Sequence, residues 1–163
     1  MQADIERAQE IVRMGADLDW VWSVDDIDRF CSNTGWTVTK RFESGGSLAT
    51  DLSVAAPSAR FLVDGGVLNY LSFTVVETDD GAQLSDSFAD LGRRMVTVLG
   101  AASWRNRGEQ PKARWDLPNV VVFLGCLRAA IFVKLVRPEY QREEDYIDEV
   151  VIPWIDANPQ EGE

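Results

Sequence analysis

A chain of 163 residues, 45% hydrophobic and 26% charged, has the size and balance of one domain that can build a core without disulfides or metal. Its formal charge is −11 and it contains no histidine, which removes the commonest general base and the usual zinc ligands, and sets a repulsive field against nucleic acid and anionic membranes. The totals point away from an enzyme and toward a binding protein, with no cofactor, no metal, no nucleic acid and no membrane.

Ile5, Ala8, Ile11, Val12 and Leu18 recur at nearly helical spacing among charges, which predicts an amphipathic helix over residues 3–18. The opening MQADIERAQEIVRM is charged and has no apolar signal region, and the two cysteines, Cys31 and Cys126, allow at most one bridge, so the expected compartment is the cytoplasm. A second short helix follows Trp20 and Trp22, with Ser23 as its N-cap, acids in its first turn, and Asn33 and Gly35 at its end.

From Trp36 the period changes to two. Trp36, Val38 and Phe42 alternate with polar residues, Ser44-Gly45-Gly46-Ser47 turns the chain, and Leu48 to Val54 returns. Phe61 to Val63 begins a third strand, Asp64-Gly65-Gly66 makes a turn, and Val67 to Val76 is a strand with Leu71, Phe73 and Val75 on one face. Leu84, Phe88, Leu91, Met95, Val98 and Leu99 then mark a helix that stops at Gly100. The polar WRNRGEQPKARW, residues 104–115, reads as a loop leading into a short strand near Ala113 to Leu117.

Val120 to Leu124 and Leu127 to Val136 are apolar runs separated by Gly125-Cys126, the form of a type II′ hairpin, and their continuous apolarity predicts strands covered on both faces. After Pro138, residues 141–152 make a helix with Tyr146, Ile147 and Val150 inward and Glu143, Glu144, Asp145, Asp148 and Glu149 outward, broken by Pro153. The expected fold is α+β: a single antiparallel sheet of five to seven strands with two N-terminal helices, one middle helix and one C-terminal helix. It forms one domain over 1–157, followed by a short acidic tail at 158–163.

Candidate sites are few. The acid groups Asp17/Asp19, Asp25/Asp26/Asp28 and Asp79/Asp80 fit helix starts and turns as well as they fit a metal. Strands rather than helices follow Gly45-Gly46 and Gly65-Gly66, which suits hairpin turns better than a phosphate cradle. Most tryptophans, including Trp20, Trp36 and Trp154, border apolar faces and should seal a core. Charge is uneven: residues 1–99 hold 16 acids and 8 bases, residues 100–138 hold 2 and 7, and residues 139–163 hold 9 and 1. The basic segment 104–115 is best matched by an acidic partner or by the helix at 141–152 of the same chain. One hairpin resists this reading, because its tip, Leu124-Gly125-Cys126-Leu127, carries no charge before Arg128. Either another part of the chain covers it, or it is a narrow apolar plug for a partner.

The stretch LDWVWSVDDIDRFCSNTGW from Leu18 to Trp36, with its W-x-W, acidic helix start and terminal G-W, resembles a family of small actinobacterial proteins that includes the immunity factor of a secreted, NAD-degrading necrotizing toxin of mycobacteria. That resemblance implies an antitoxin, an immunity protein that binds a cognate toxin, an NAD glycohydrolase, one to one and occludes its active site. Leu124, Gly125, Cys126, Leu127 and Arg128 would enter the cleft, and Glu143, Glu144 and Asp148 would contact its rim. On this view Gly125→Trp abolishes neutralisation and leaves the fold intact. A homodimer is compatible with the reading. The alternative is a secretion-chaperone-like protein that holds an extended client segment.

Overall fold

Ile5, Ala8, Ile11 and Val12 form the buried stripe of the first helix, α1 (Gln2–Asp17), in the computed structural model, which describes residues 2–106 and 110–158. The second helix, α2 (Asp25–Thr34), is closed by Gly35 in the left-handed conformation at φ 81°. Its start departs from expectation, since Val24 and not Ser23 holds the cap position and no side chain caps it. The buried Asp26 carboxylate organises this turn instead. Its Oδ2 accepts the N–H groups of Val21 at 2.9 Å and Trp22 at 2.7 Å, and its Oδ1 accepts Arg29 Nη1 at 2.6 Å.

Those bonds hold Trp22 at φ 61°, a conformation rare for a bulky residue, and stack it on Trp20 with ring centroids 4.5 Å apart. The Trp20 indole donates to the Gly15 carbonyl at 2.7 Å, and the Trp22 indole donates to that of Asn119 at 3.0 Å. The W-x-W pattern therefore ties the α1–α2 connection to the end of the sheet.

Eight strands follow in chain order: β1 (Thr37–Phe42), β2 (Gly45–Ala49), β3 (Ser58–Asp64) and β4 (Val67–Glu77), then, after the helix α3 (Gly81–Leu99), β5 (Trp104–Asn106), β6 (Lys112–Asp116), β7 (Val121–Leu127) and β8 (Ala130–Val136). They form a single antiparallel sheet in the order β1-β2-β3-β4-β8-β7-β6-β5. The fold is α+β as expected, but among the described residues the sheet has eight strands and not five to seven. The polar segment at 104–115 accounts for part of the excess. It supplies β5 and most of β6, an edge pair with Trp104 opposite Arg114, where polar side chains are tolerated because one face and one edge meet water.

Strand alternation puts Leu71, Phe73, Val75, Val122, Leu124, Val133 and Leu135 on one face, all buried under the helices. Asp80 caps α3 by accepting the N–H groups of Ala82 at 3.0 Å and Gln83 at 3.2 Å, and the helix adds Leu84, Leu91 and Met95 to the same core. Where α1 crosses the sheet it approaches closely at Gly15, whose absent Cβ would lie 2.7 Å from Leu135 Cδ1. On the opposite face Tyr70, Ser72, Phe123, Phe132 and Lys134 are half-buried, so these strands are covered on both sides as expected but more fully on one than on the other.

The C-terminal helix α4 (Pro138–Tyr146) runs on through a π-turn (Ile147–Val151) into α5 (Ile152–Ala157). Pro153 does not end it, because the Ile152 N–H reaches back to the Ile147 carbonyl, and this wider turn takes up the bond and the space that proline disrupts. Among the described residues, no helix is long and apolar enough to cross a membrane. Of the tail expected at 158–163, residues 159–163 lie outside the described residues.

Candidate protein-binding surface

The apolar tip is not where the glycine places it. β7 and β8 pair from Val121 opposite Val136 to Leu127 opposite Ala130, so the chain reverses at Arg128-Ala129 with Arg128 at φ 56°. Leu124, Gly125 and Cys126 lie within β7 and are buried; the longer ladder pairs backbone groups that an earlier turn would leave at a strand end. Gly125 is needed for close approach, since a Cβ there would overlap the ring of Phe132. Of the five residues assigned to a plug, only Leu127 and Arg128 are exposed at the real turn.

The C-terminal helix is held over the outer face of the sheet by polar side chains. Arg137, just before the Pro138 start, donates from Nε and Nη2 to Asn69 Oδ1 at 3.2 and 3.1 Å, and from Nη1 to Glu139 at 2.9 Å. One turn later Tyr140 packs against Tyr70 with ring centroids 5.9 Å apart. The main clamp is Arg114 of β6, whose Nη1 and Nη2 each donate to one oxygen of Asp145 at 2.8 Å while its Nε donates to Asp116 at 2.7 Å. Buried Gln141 adds a 2.9 Å bond to Asp145. This is the internal pairing of the 104–115 segment with the C-terminal helix that the charge pattern suggested.

Between helix and sheet lies an open cleft of about 700 Å³, with Lys112, Lys134, Phe123 and Phe132 on the sheet side and Glu144, Asp148 and Glu149 on the helix side. Its electrostatics follow from the clamp. The bonds from Arg114 hold the Asp145 carboxyl below its ordinary range, and those to Asp145 push the Arg114 guanidinium up. Burial lowers Lys134, opposed by Glu144, and its ammonium sits 4.2 Å from the centre of the Tyr70 ring. Burial also raises Tyr140, with Glu144 adding to the shift.

This docking turns the helix over relative to expectation. Of the three acids assigned to a partner's rim, Glu144 and Asp148 line this open cleft, Glu144 half-buried and Asp148 exposed, and Glu143 is exposed outside it. Tyr146, Ile147 and Val150, expected inside, are 60%, 41% and 48% exposed, and Ile152, Trp154 and Ile155 continue the exposed row. Trp154 thus seals no core, unlike Trp20 and Trp36. The cause is the sheet's outer face: Lys112, Arg114 and Lys134 lie there, and a half-buried guanidinium is far better met by a carboxylate than by a tyrosine or an isoleucine.

The remaining candidates resolve into structure. Asp26 and Asp80 are turn and cap residues, and no group of three or more His, Cys, Asp or Glu among the described residues could hold a metal ion. Gly65 and Gly66 take φ 57° and 81° in the β3–β4 hairpin turn, whereas Gly45 and Gly46 fall in β2 itself. Both cysteines are free thiols, and burial pushes each of them up.

Residues 6–137 match the model of a family of unknown function (DUF6301), and the chain belongs to that family. The matched stretch takes in most of α1 and everything through β8, and it ends at Arg137, directly before α4. No curated protein and no solved structure matches the chain.

Proposed function

We propose that this protein works by binding another protein, and that the C-terminal helical segment is the surface that does so. The observation that carries this reading is the row of exposed apolar side chains Tyr146, Ile147, Val150, Ile152, Trp154 and Ile155, on the helical run that continues beyond the anchored α4. Such a stripe suits a partner's apolar groove, with large side chains at helical steps as anchors. Charge narrows the partner further. The segment 138–157 carries Glu139, Glu143, Glu144, Asp145, Asp148, Glu149 and Asp156 against one base, Arg142, so a groove with a basic rim is attracted, whereas a second copy would bring acids against acids.

The form of this function that we propose is the one the family resemblance of Leu18 to Trp36 implies: neutralisation of a toxin, one to one, by covering its active-site cleft. The stripe takes the part first assigned to Leu124–Arg128, because it is exposed throughout, whereas Leu124, Gly125 and Cys126 are buried. A client held in extended form is the weaker fit, since the edge strand β1 carries Lys40 and Arg41, charges that discourage strand addition.

The experiment is co-expression with an NAD glycohydrolase toxin domain, followed by size-exclusion chromatography with light scattering and a growth-protection assay. Val150→Asp/Trp154→Asp should abolish both the one-to-one complex and protection, and Leu127→Ala/Arg128→Ala should preserve them. The reverse pattern would return the contact to the β7–β8 turn and defeat the stripe.

A further inference from the structure

We infer a second binding site, between α3 and the β5–β6 hairpin, that takes a small amphiphile with an anionic head, a carboxylate on an apolar chain. The site is a pocket of about 450 Å³ whose floor is made by Phe88 and Val96 of α3 with Trp115 and Leu124 of the sheet. That volume is in the range of small-molecule sites, roughly 300–1,000 Å³.

The rim is cationic. Arg93 projects from α3, with a long 3.9 Å contact to Asp90 as its one ion pair among the described residues, and Arg105 stands opposite Ala113, which places it on the helix-facing side of the hairpin. Among the described residues, no carboxylate lines the pocket. Two guanidiniums at the mouth of an apolar hole select an anion with an apolar tail over a neutral or cationic one, locally outweighing the repulsion from the chain's net charge of −11.

Gly92 supplies an independent argument. It sits inside α3 without a positive φ, and a Cβ there would find only Leu124 Cδ2, at 3.9 Å. The fold therefore has no use for the missing side chain, in contrast to Gly15 and Gly125, where neighbouring atoms fill that space. Glycine in a helix interior is less favourable than alanine by about 1 kcal/mol. What its smallness does at position 92 is keep the pocket open.

The test uses decanoate, with decanol and decyltrimethylammonium as neutral and cationic comparators, all below their micellar concentrations, followed by amide chemical shifts of the ¹⁵N-labelled full chain. Decanoate should bind saturably, one per chain, with the largest shifts at Gly92, Ala113 and Leu124. Gly92→Leu should abolish binding while keeping or raising the melting temperature, and Arg93→Glu/Arg105→Glu should weaken decanoate about tenfold while leaving decanol unchanged. Equal binding of the three probes, shifts centred on Tyr146 to Trp154, or wild-type affinity in either folded variant would overturn the assignment. Because the readout is confined to the pocket, it is independent of whether the C-terminal stripe binds a protein.

Discussion

Replacing Arg114 by methionine removes the clamp of the C-terminal helix while keeping most of the side chain's apolar length. Three charge-assisted bonds at 2.7 to 2.8 Å are lost, and Asp145 is left facing the sheet beside Gln141. With the Arg114 and Asp145 side chains 19% and 28% exposed, the pair lies between the surface limit, near zero, and the fully buried one, about 3–5 kcal/mol, so a cost of about 2 kcal/mol is expected. That corresponds to an increase of about thirtyfold in the population with the helix undocked. Hydrogen exchange at neutral pH should show it as faster exchange across 138–157 with little change in α1 or β4. Asp145→Met added to Arg114→Met should recover part of the loss, because the stranded carboxylate is then gone.

Acid should mimic the Arg114 variant. Asp145 has a folded-state pKa below its ordinary 3.8, so its contribution is complete above that value and disappears as pH falls through the lower, folded one. Protection of 138–157 in the wild type should therefore be level from pH 7 to 5 and fall below about 4, whereas Arg114→Met should lack this component. Unchanged exchange in Arg114→Met would mean that Tyr140 and Arg137 suffice to dock the helix, and the account of its inverted orientation would fail.

Asp26→Ala should cost about 2–3 kcal/mol in urea unfolding, because it strands the buried N–H of Trp22, loses the bond to Val21 and releases Trp22 from its positive φ. Gly125→Trp should lower the melting temperature markedly, since overpacking against Phe132 costs about 1–3 kcal/mol even for smaller insertions; a variant as stable as wild type would put Gly125 back at a turn. Trp154→Ala, at a site 51% exposed, should change stability by less than about 0.5 kcal/mol despite the size of the side chain, and a larger drop in thermal unfolding would place that indole in a core.

Periodicity made the helix-facing half of the molecule legible. Ile5 to Val12, Leu71 to Val75 and Leu84 to Met95 each carry one apolar face, and each element appears where its period places it. Turn chemistry was legible where glycine alone fits, as at Gly35 and Gly65-Gly66. It misled at Gly125, because a glycine needed for a neighbour's ring reads in one dimension like a glycine needed for a turn. Arg128, the residue that does reverse the chain at positive φ, carries no signal of its own. The Ser23 cap failed for a related reason: the group that satisfies the turn, Asp26, lies three residues later and acts through tertiary hydrogen bonds.

The C-terminal segment shows why the binding surface could not be read from its own pattern. Amphipathicity identifies two faces of a helix but not which one the rest of the chain will accept, and the usual assumption, apolar inward, holds when the receiving surface is apolar. Here the receiving surface is the outer side of β6, β7 and β8, where Lys112, Arg114 and Lys134 alternate with half-buried aromatics. Cations spaced along neighbouring strands come from distant points in the sequence and converge only once the register is set. They draw Asp145 and its acidic neighbours down, and the row from Tyr146 to Ile155 is turned out by the same rotation. The internal ion pair and the external apolar stripe are thus two sides of one choice of helix orientation, so a substitution that frees Asp145 should also change what the stripe can bind.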